Sequence, residues 1–114
     1  MATRKTQPSM YQVEQQTIRE YVKEHKGWSL AAFGEGKHTE GLLRHIEKEC
    51  IEVRKVPSDL FEWIDIVILA IDGAWREGYT PEQIASALME KQNINKAREW
   101  PKMVADQPTE HIRE

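Results

Sequence analysis

Glu49, Glu52, Glu62 and Asp65 are the residues whose types and spacing most directly suggest chemistry. They form two short patterns, E-x-x-E at 49–52 and E-x-x-D at 62–65, and each puts two carboxylates one helical turn apart. Hard oxygen donors of this kind suit Mg²⁺ or Mn²⁺, and Mg²⁺ favours carboxylates combined with waters and substrate phosphates. The chemistry implied is on a phosphate ester or phosphoanhydride. E-x-x-E by itself equally describes a solvated glutamate pair on a charged amphipathic helix, and taken alone that reading is favoured.

The second pattern shifts the balance. Residues 61–75 carry large apolar side chains on nearly every helical face, which predicts a helix buried on most sides. Glu62 lies one turn before Asp65, and Asp72 lies two turns after it on the same row. Aspartate is a poor helix-interior residue, and an unpaired buried charge costs several kcal/mol. A bound cation would offset that cost; a buried ion pair with Arg54, Arg76 or Lys91 is the alternative. On the preceding helix, Leu42, Leu43, Ile46, Cys50 and Val53 make the apolar stripe, with Glu49 inside its edge and Glu52 beside it. His45 completes a row with the two glutamates. Two helices joined by a short Pro-containing turn pack antiparallel, so E-x-x-E near the end of one faces E-x-x-D near the start of the next.

A row of donors follows. Ile84, Leu88, Lys91, Asn95 and Arg98 share one helical face that begins apolar and ends in hydrogen-bond donors. Lys91 alone is the pattern of a snorkelling side chain at a bundle end. Lys91, Asn95 and Arg98 together suit phosphate oxygens, the lysine as a point charge and the arginine as a planar fork. Carboxylates on two helices and phosphate donors on a third describe a nucleoside triphosphate site. There is no G-x-x-x-x-G-K-[ST] sequence, which excludes a P-loop. A di-iron carboxylate bundle needs two Glu-x-x-His pairs on core helices; the one such pair, Glu35 and His38, sits in a glycine-rich stretch.

Four helical segments must position these groups. Ser9 and Gln12 resemble a capping box opening a first helix at about 10–25, which Lys26-Gly27 ends. The stretch 28–37 reads as a loop anchored by Trp28 and Phe33. A second helix spans about 39–55, and Ser58 can cap a third at about 59–77. Thr80-Pro81-Glu82-Gln83 is the strongest local signal, opening a fourth helix that runs to about 98. The expected organisation is a flexible N-terminus over 1–9, a helical domain over 10–102 and a polar tail over 103–114, giving an all-α four-helix bundle.

The 114-residue length fits one domain. The formal charge of −3, from 16 Lys and Arg against 19 Asp and Glu, gives no basic footprint for nucleic acid. The single cysteine, Cys50, permits no intrachain disulfide and fits a reducing compartment. Residues 1–9 lack the apolar segment of a secretory signal, and no apolar run is long enough to span a bilayer. A cytoplasmic protein is expected, in the host cytoplasm if the chain is phage-encoded.

Taken together, E-x-x-E, E-x-x-D and the K-x-x-x-N-x-x-R-x-W-P run at 91–101 resemble the MazG-like all-α nucleoside triphosphate pyrophosphohydrolases, most closely the dATP/dGTP diphosphohydrolase (MazZ-type) branch found in phages and bacteria. The matching segments include Trp28-Ser29, Phe33-Gly34-Glu35-Gly36, residues 43–53, residues 62–67 and residues 91–101, within roughly 10–102. The resemblance implies hydrolysis of a (deoxy)nucleoside triphosphate to monophosphate and pyrophosphate. It implies Mg²⁺ ions held by Glu49, Glu52, Glu62 and Asp65, and phosphates held by Lys91, Asn95 and Arg98. It places Trp28 and Phe33 near the base, where anchoring the loop to the core is the equal alternative. Many MazG-like proteins carry adjacent glutamates where this chain has Lys48-Glu49; Glu49 is the candidate for activating water.

The apolar excess of the third helix exceeds what a lone four-helix domain covers, so a homodimer or homotetramer is expected, and the resemblance points the same way. Two other functions fit parts of the sequence. A non-catalytic helical interaction module would use the acidic rows as ion pairs. A small DNA-binding helical protein would need a basic surface, against the acidic balance.

Overall fold

Thr17 opens the first helix through a reciprocal capping box: its hydroxyl accepts from the Glu20 amide at 3.1 Å, and the Glu20 carboxylate accepts from the Thr17 amide at 3.0 Å. The computed structural model describes residues 15–103 and 105–112. Among them the chain forms four α-helices: α1 (Ile18–Phe33), α2 (Thr39–Lys55), α3 (Leu60–Arg76) and α4 (Pro81–Lys96). The all-α fold expected from the sequence is the fold observed, with α2 on its expected bounds and α3 within a residue of them.

The first helix departs most from expectation. The Ser9–Gln12 pair lies outside the described residues; residues 15–17 are not helical, and α1 starts at Ile18. It does not end at Gly27 but continues through Trp28 to Phe33, so the loop shrinks to 34–38 and both aromatics are helical. A glycine costs a helix interior about 1 kcal/mol. Here Ser29, two residues further on, is fully buried and hydrogen-bonded to α3, which offsets that cost. The stop is Gly34, whose φ of 80° suits glycine, and its amide donates to Leu30 O.

At the other termini the capping is local. Asp59, rather than Ser58, caps α3, its carboxylate accepting from the Phe61 amide at 3.0 Å. Thr80 and Gln83 form the capping box read from sequence, with Pro81 in the first turn. Helix α4 ends at Lys96, two residues before its expected limit, and Ala97 caps it. Beyond it, Trp100 Nε1 donates to Asn95 O at 2.7 Å, and the Ile112 amide donates to Glu99 O.

Helix α3 is the common floor. Helix α2 runs antiparallel along it, with Leu42 packed at Gly73 and Glu49 beside Glu62 and Asp65. Helix α1 also leans on α3, and α4 packs against α1 and α3. Helices α1 and α2 make no close backbone approach, nor do α2 and α4. The expectation that α3 is buried on most sides is corrected. Its buried residues are Asp72, Trp75 and Arg76 near the C-terminal end, whereas Trp63, Ile64 and Val67 are exposed. No element among the described residues covers them.

Asp72 ties α1 to α3. One carboxylate oxygen accepts from Ser29 Oγ at 2.6 Å and Trp75 Nε1 at 3.0 Å, and stands 2.9 Å from His25 Nε2. The other accepts from Arg76 Nε at 2.7 Å. The Arg76 fork donates further to Ser29 Oγ and to the carbonyls of Gly34 and Gly36. The sequence offered a cation or an ion pair as compensation for buried aspartates; for Asp72 the structure shows the ion pair, with Arg76. Burial pushes the Asp72 carboxyl up, but the hydrogen bonds from Ser29, Arg76 and His25 and the guanidinium charge outweigh it and hold the pKa below the usual value. Burial, then the Asp72 charge, pushes the Tyr21 phenol up.

Removing one partner of a buried pair strands the other charge, so Asp72→Ala should destabilise the fold by about 3–5 kcal/mol in denaturant titrations. Because the native pKa is depressed, the stabilisation is complete above the unfolded value of about 3.9 and is lost as pH falls through the native value. Asp72→Asn should therefore lose stability at neutral pH and flatten the acid limb of the stability curve. An acid limb identical to that of the unaltered protein would contradict this.

Candidate active site

The gap between α1 and α2 is a cleft floored by α3. Its volume is about 680 Å³, within the range of small-molecule sites. Helix α2 and its N-cap residue contribute His38, Gly41, Leu42, His45 and Glu49, at steps of three, one, three and four residues that keep to one helical face. Helix α3 contributes Asp65, Ile68, Leu69, Asp72 and Arg76 with the same periodicity in the opposite direction. Helix α1 closes one side with His25, Trp28, Ser29 and Phe33. The antiparallel pairing gives the cleft a polarity. Carboxylates lie at the α2–α3 turn end, and aromatic groups and the Asp72–Arg76 pair lie at the other.

At the turn end, Glu49, Glu62 and Asp65 each offer a carboxylate oxygen, and these oxygens all lie within 4.8 Å of one another. All three residues are half-buried. Opposite ligands on an octahedral Mg²⁺ stand about 4.2 Å apart, twice its usual ligand distance. A small side-chain rotation brings the group onto one ion, so the residues fit a divalent cation. Glu52, the fourth carboxylate expected there, is outside this group; its oxygen stands 3.4 Å from Lys55 Nζ. His45 Nε2 stands 3.3 Å from Glu49 Oε1.

At the other end an aromatic ladder climbs α1. Tyr21 stacks on His25, His25 meets Trp28, and Trp28 meets Phe33 edge-on with centroids 5.5 Å apart. The inner rungs are covered, whereas Trp28 is 59% and Phe33 64% exposed, so both faces are open to a ligand. The loop between α1 and α2 is held from below by Arg76 and from the side by Glu77, which accepts from Thr39 Oγ1 and pairs with Lys37 at 3.4 Å. His38 ends it in the left-handed region at φ 54°, its ring lying where a Cβ on Gly36 would come within 3.0 Å. A side chain at Gly36 would therefore displace the His38 ring.

The structure thus brings Glu49, Glu62 and Asp65 together and puts Trp28 and Phe33 on the wall of the same cleft. Lys91, Asn95 and Arg98 lie on and just beyond α4 and do not line the cleft; Lys91 and Arg98 are exposed. Sequence reading gave no role to His25 and Ser29, because Gly27 had been taken to end the helix before Ser29. Continuing a helical row from Val22 through His25 to Ser29 would have found them.

The family described as dATP/dGTP pyrophosphohydrolase matches residues 21–114. The Eaa protein of Salmonella phage P22 is 43% identical over 58 residues, a match that spans 51% of this chain and 18% of that protein. No solved structure matches.

A cation bound by the trio would stabilise the fold by mass action, by about 2.7 kcal/mol at a hundredfold excess over its dissociation constant. Mg²⁺ or Mn²⁺ should raise the melting temperature, and Asp65→Asn should remove that increase while slightly stabilising the metal-free protein by relieving carboxylate repulsion. Equal responses to cation in both proteins would count against the site. The match over 94 of the 114 residues places the chain in the dATP/dGTP pyrophosphohydrolase family.

Proposed function

We propose that the protein hydrolyses a deoxynucleoside triphosphate, dGTP or dATP foremost, to the monophosphate and pyrophosphate. The observation that carries this is the acidic trio of Glu49, Glu62 and Asp65 at one end of a cleft of nucleotide size, in a chain of this family. Mg²⁺ is the proposed cofactor, with Mn²⁺ able to replace it. Bound there, it would neutralise triphosphate charge and acidify a water.

The polarity of the cleft orients the substrate. The triphosphate belongs at the carboxylate end and the base against Trp28 and Phe33, whose exposed rings offer stacking and edge contacts. Glu49 lines the cleft and is the proposed acceptor of the proton of the attacking water. The water oxygen forms a bond to the α-phosphorus, the bond to the bridging oxygen breaks, and pyrophosphate leaves with that oxygen. Glu52, one turn beyond Glu49 and paired with Lys55, is proposed to join the metal set by a side-chain rotation. Lys91, Asn95 and Arg98, which do not line the cleft itself, are proposed to reach the outer phosphates beyond its acidic end.

Self-association as a homodimer or homotetramer belongs to the same proposal. The buried apolar side chains among the described residues are Val22, Val53 and Trp75, while Leu60, Trp63, Ile64 and Val67 leave an apolar face of α3 open. No helix among the described residues is long and apolar enough to cross a membrane.

The test is pyrophosphate release from a panel of dNTPs and NTPs with Mg²⁺. Purine deoxynucleotides should be cleaved, and Glu49→Gln and Asp65→Asn should each lower the rate by about 10²-fold or more. Hydrolysis of no nucleotide, or full activity in both variants, would overturn the proposal.

A further inference from the structure

We propose that His45 reads the sugar of the substrate through a hydrogen bond with its 3′-hydroxyl. The inference rests on the nucleotide reading above and concerns the middle of the cleft, between the carboxylates and the aromatic wall. His45 lies one helical turn from Glu49, about 6 Å along the α2 axis, and one turn from Leu42 in the other direction. Its ring lines the cleft, and its side chain is 55% exposed.

In a deoxynucleoside triphosphate the base occupies C1′ and the triphosphate C5′, so the single free hydroxyl is on C3′. With the triphosphate at Glu49 and the base at Trp28 and Phe33, the sugar falls at the level of His45. The ring has a nitrogen on each side. Nε2 stands 3.3 Å from Glu49 Oε1. Nδ1, on the opposite side of the ring, is left for a hydrogen bond with the ligand.

The other polar groups on the cleft wall are committed or lie elsewhere. Asp72 and Ser29 are bonded to each other and to Arg76, and Arg76 is spent on them and on the loop carbonyls. His25 faces Asp72 through Nε2. Asp65 belongs to the acidic trio, and His38 is two turns from His45 at the far end of the wall. His45 is thus the polar group on the cleft wall that stands at sugar height.

The experiment compares kcat/KM for dGTP and for 2′,3′-dideoxyguanosine triphosphate, which lacks the hydroxyl, in the unaltered protein and in His45→Phe, His45→Ala and His45→Asn. The unaltered protein should prefer dGTP by about two- to tenfold, the range of one neutral hydrogen bond. In His45→Phe and His45→Ala the preference should fall to about one, whatever happens to the absolute rate; in His45→Asn, whose amide oxygen can take the place of Nδ1, part of it should return. A merely structural role would lower both substrates together and leave the ratio intact. The proposal is overturned if the unaltered protein treats the two substrates alike, or if the Phe or Ala variant keeps the original ratio. Hydrolysis of neither substrate by the unaltered protein would sink the nucleotide reading itself, and this inference with it.

Discussion

The Asp72 carboxylate is the constraint on which the rest of the structure depends. It is buried against α1, and its oxygens are met by Ser29, Trp75 and Arg76, with His25 Nε2 at hydrogen-bond distance. Such a group is worth little beyond an apolar replacement in net energy, yet half of it cannot be removed without leaving an uncompensated charge. What it fixes is position. Helices α1 and α2 make no close backbone approach, so the width of the cleft between them depends on how each is seated on α3. Asp72 seats α1, and Arg76 extends the same network to the Gly34 and Gly36 carbonyls at the start of the crossing to α2. Leu42, packed at Gly73, seats α2 one residue along the same helix.

Three of the four helices were legible in the sequence because their signals are local. The Thr80–Gln83 capping box and Pro81 define the start of α4 without reference to the rest of the molecule, and the Pro57 turn separates α2 from α3 in the same way. The first helix was misread because its determinants are distant in sequence. Gly27 is a breaker by propensity, but the contacts that carry the helix past it join Ser29 to residues more than forty positions away. The Thr17-x-x-Glu20 signature was present in the sequence as a start signal, and the Ser9–Gln12 pair obscured it. The apolar richness of α3 was read as burial. It instead reports surface that the described residues leave open, because composition carries no information about whether a partner element exists.

The site divides along the same line. Glu49, Glu62 and Asp65 converge because helical period and antiparallel pairing across a short turn are enough to bring them together, and both are readable from spacing. Glu52 shows where that reasoning stops. The i, i+3 spacing puts two glutamates on one side of a helix, but about 60° of rotation separates them, and Glu52 stays outside the trio with Lys55 Nζ 3.4 Å from its carboxylate. For Lys91, Asn95 and Arg98 the expected row is cut short, because α4 ends at Lys96 and Arg98 lies beyond it, and a helical face does not say which neighbour it meets. Helix α4 meets α1 and α3, and none of its residues lines the cleft.

The two ends of the cleft are held by different physics, and this bears on how such a site can work. At the α1 end, the Asp72–Arg76 network supplies a wall whose polar groups are satisfied by one another, so it presents fixed shape and exposed aromatic faces without asking the ligand for hydrogen bonds. At the turn end, half-buried carboxylates of like charge are gathered within 4.8 Å, an arrangement that is self-repelling until something positive is added. One end is complete without a ligand and the other is complete only with one. A nucleoside triphosphate has the matching asymmetry: a flat base that needs a surface, and a polyanion that brings its own cations. Helix α3 joins the two ends, carrying Glu62 and Asp65 at one and, through Asp72, the aromatic helix α1 at the other. Between them stands His45, 3.3 Å from Glu49.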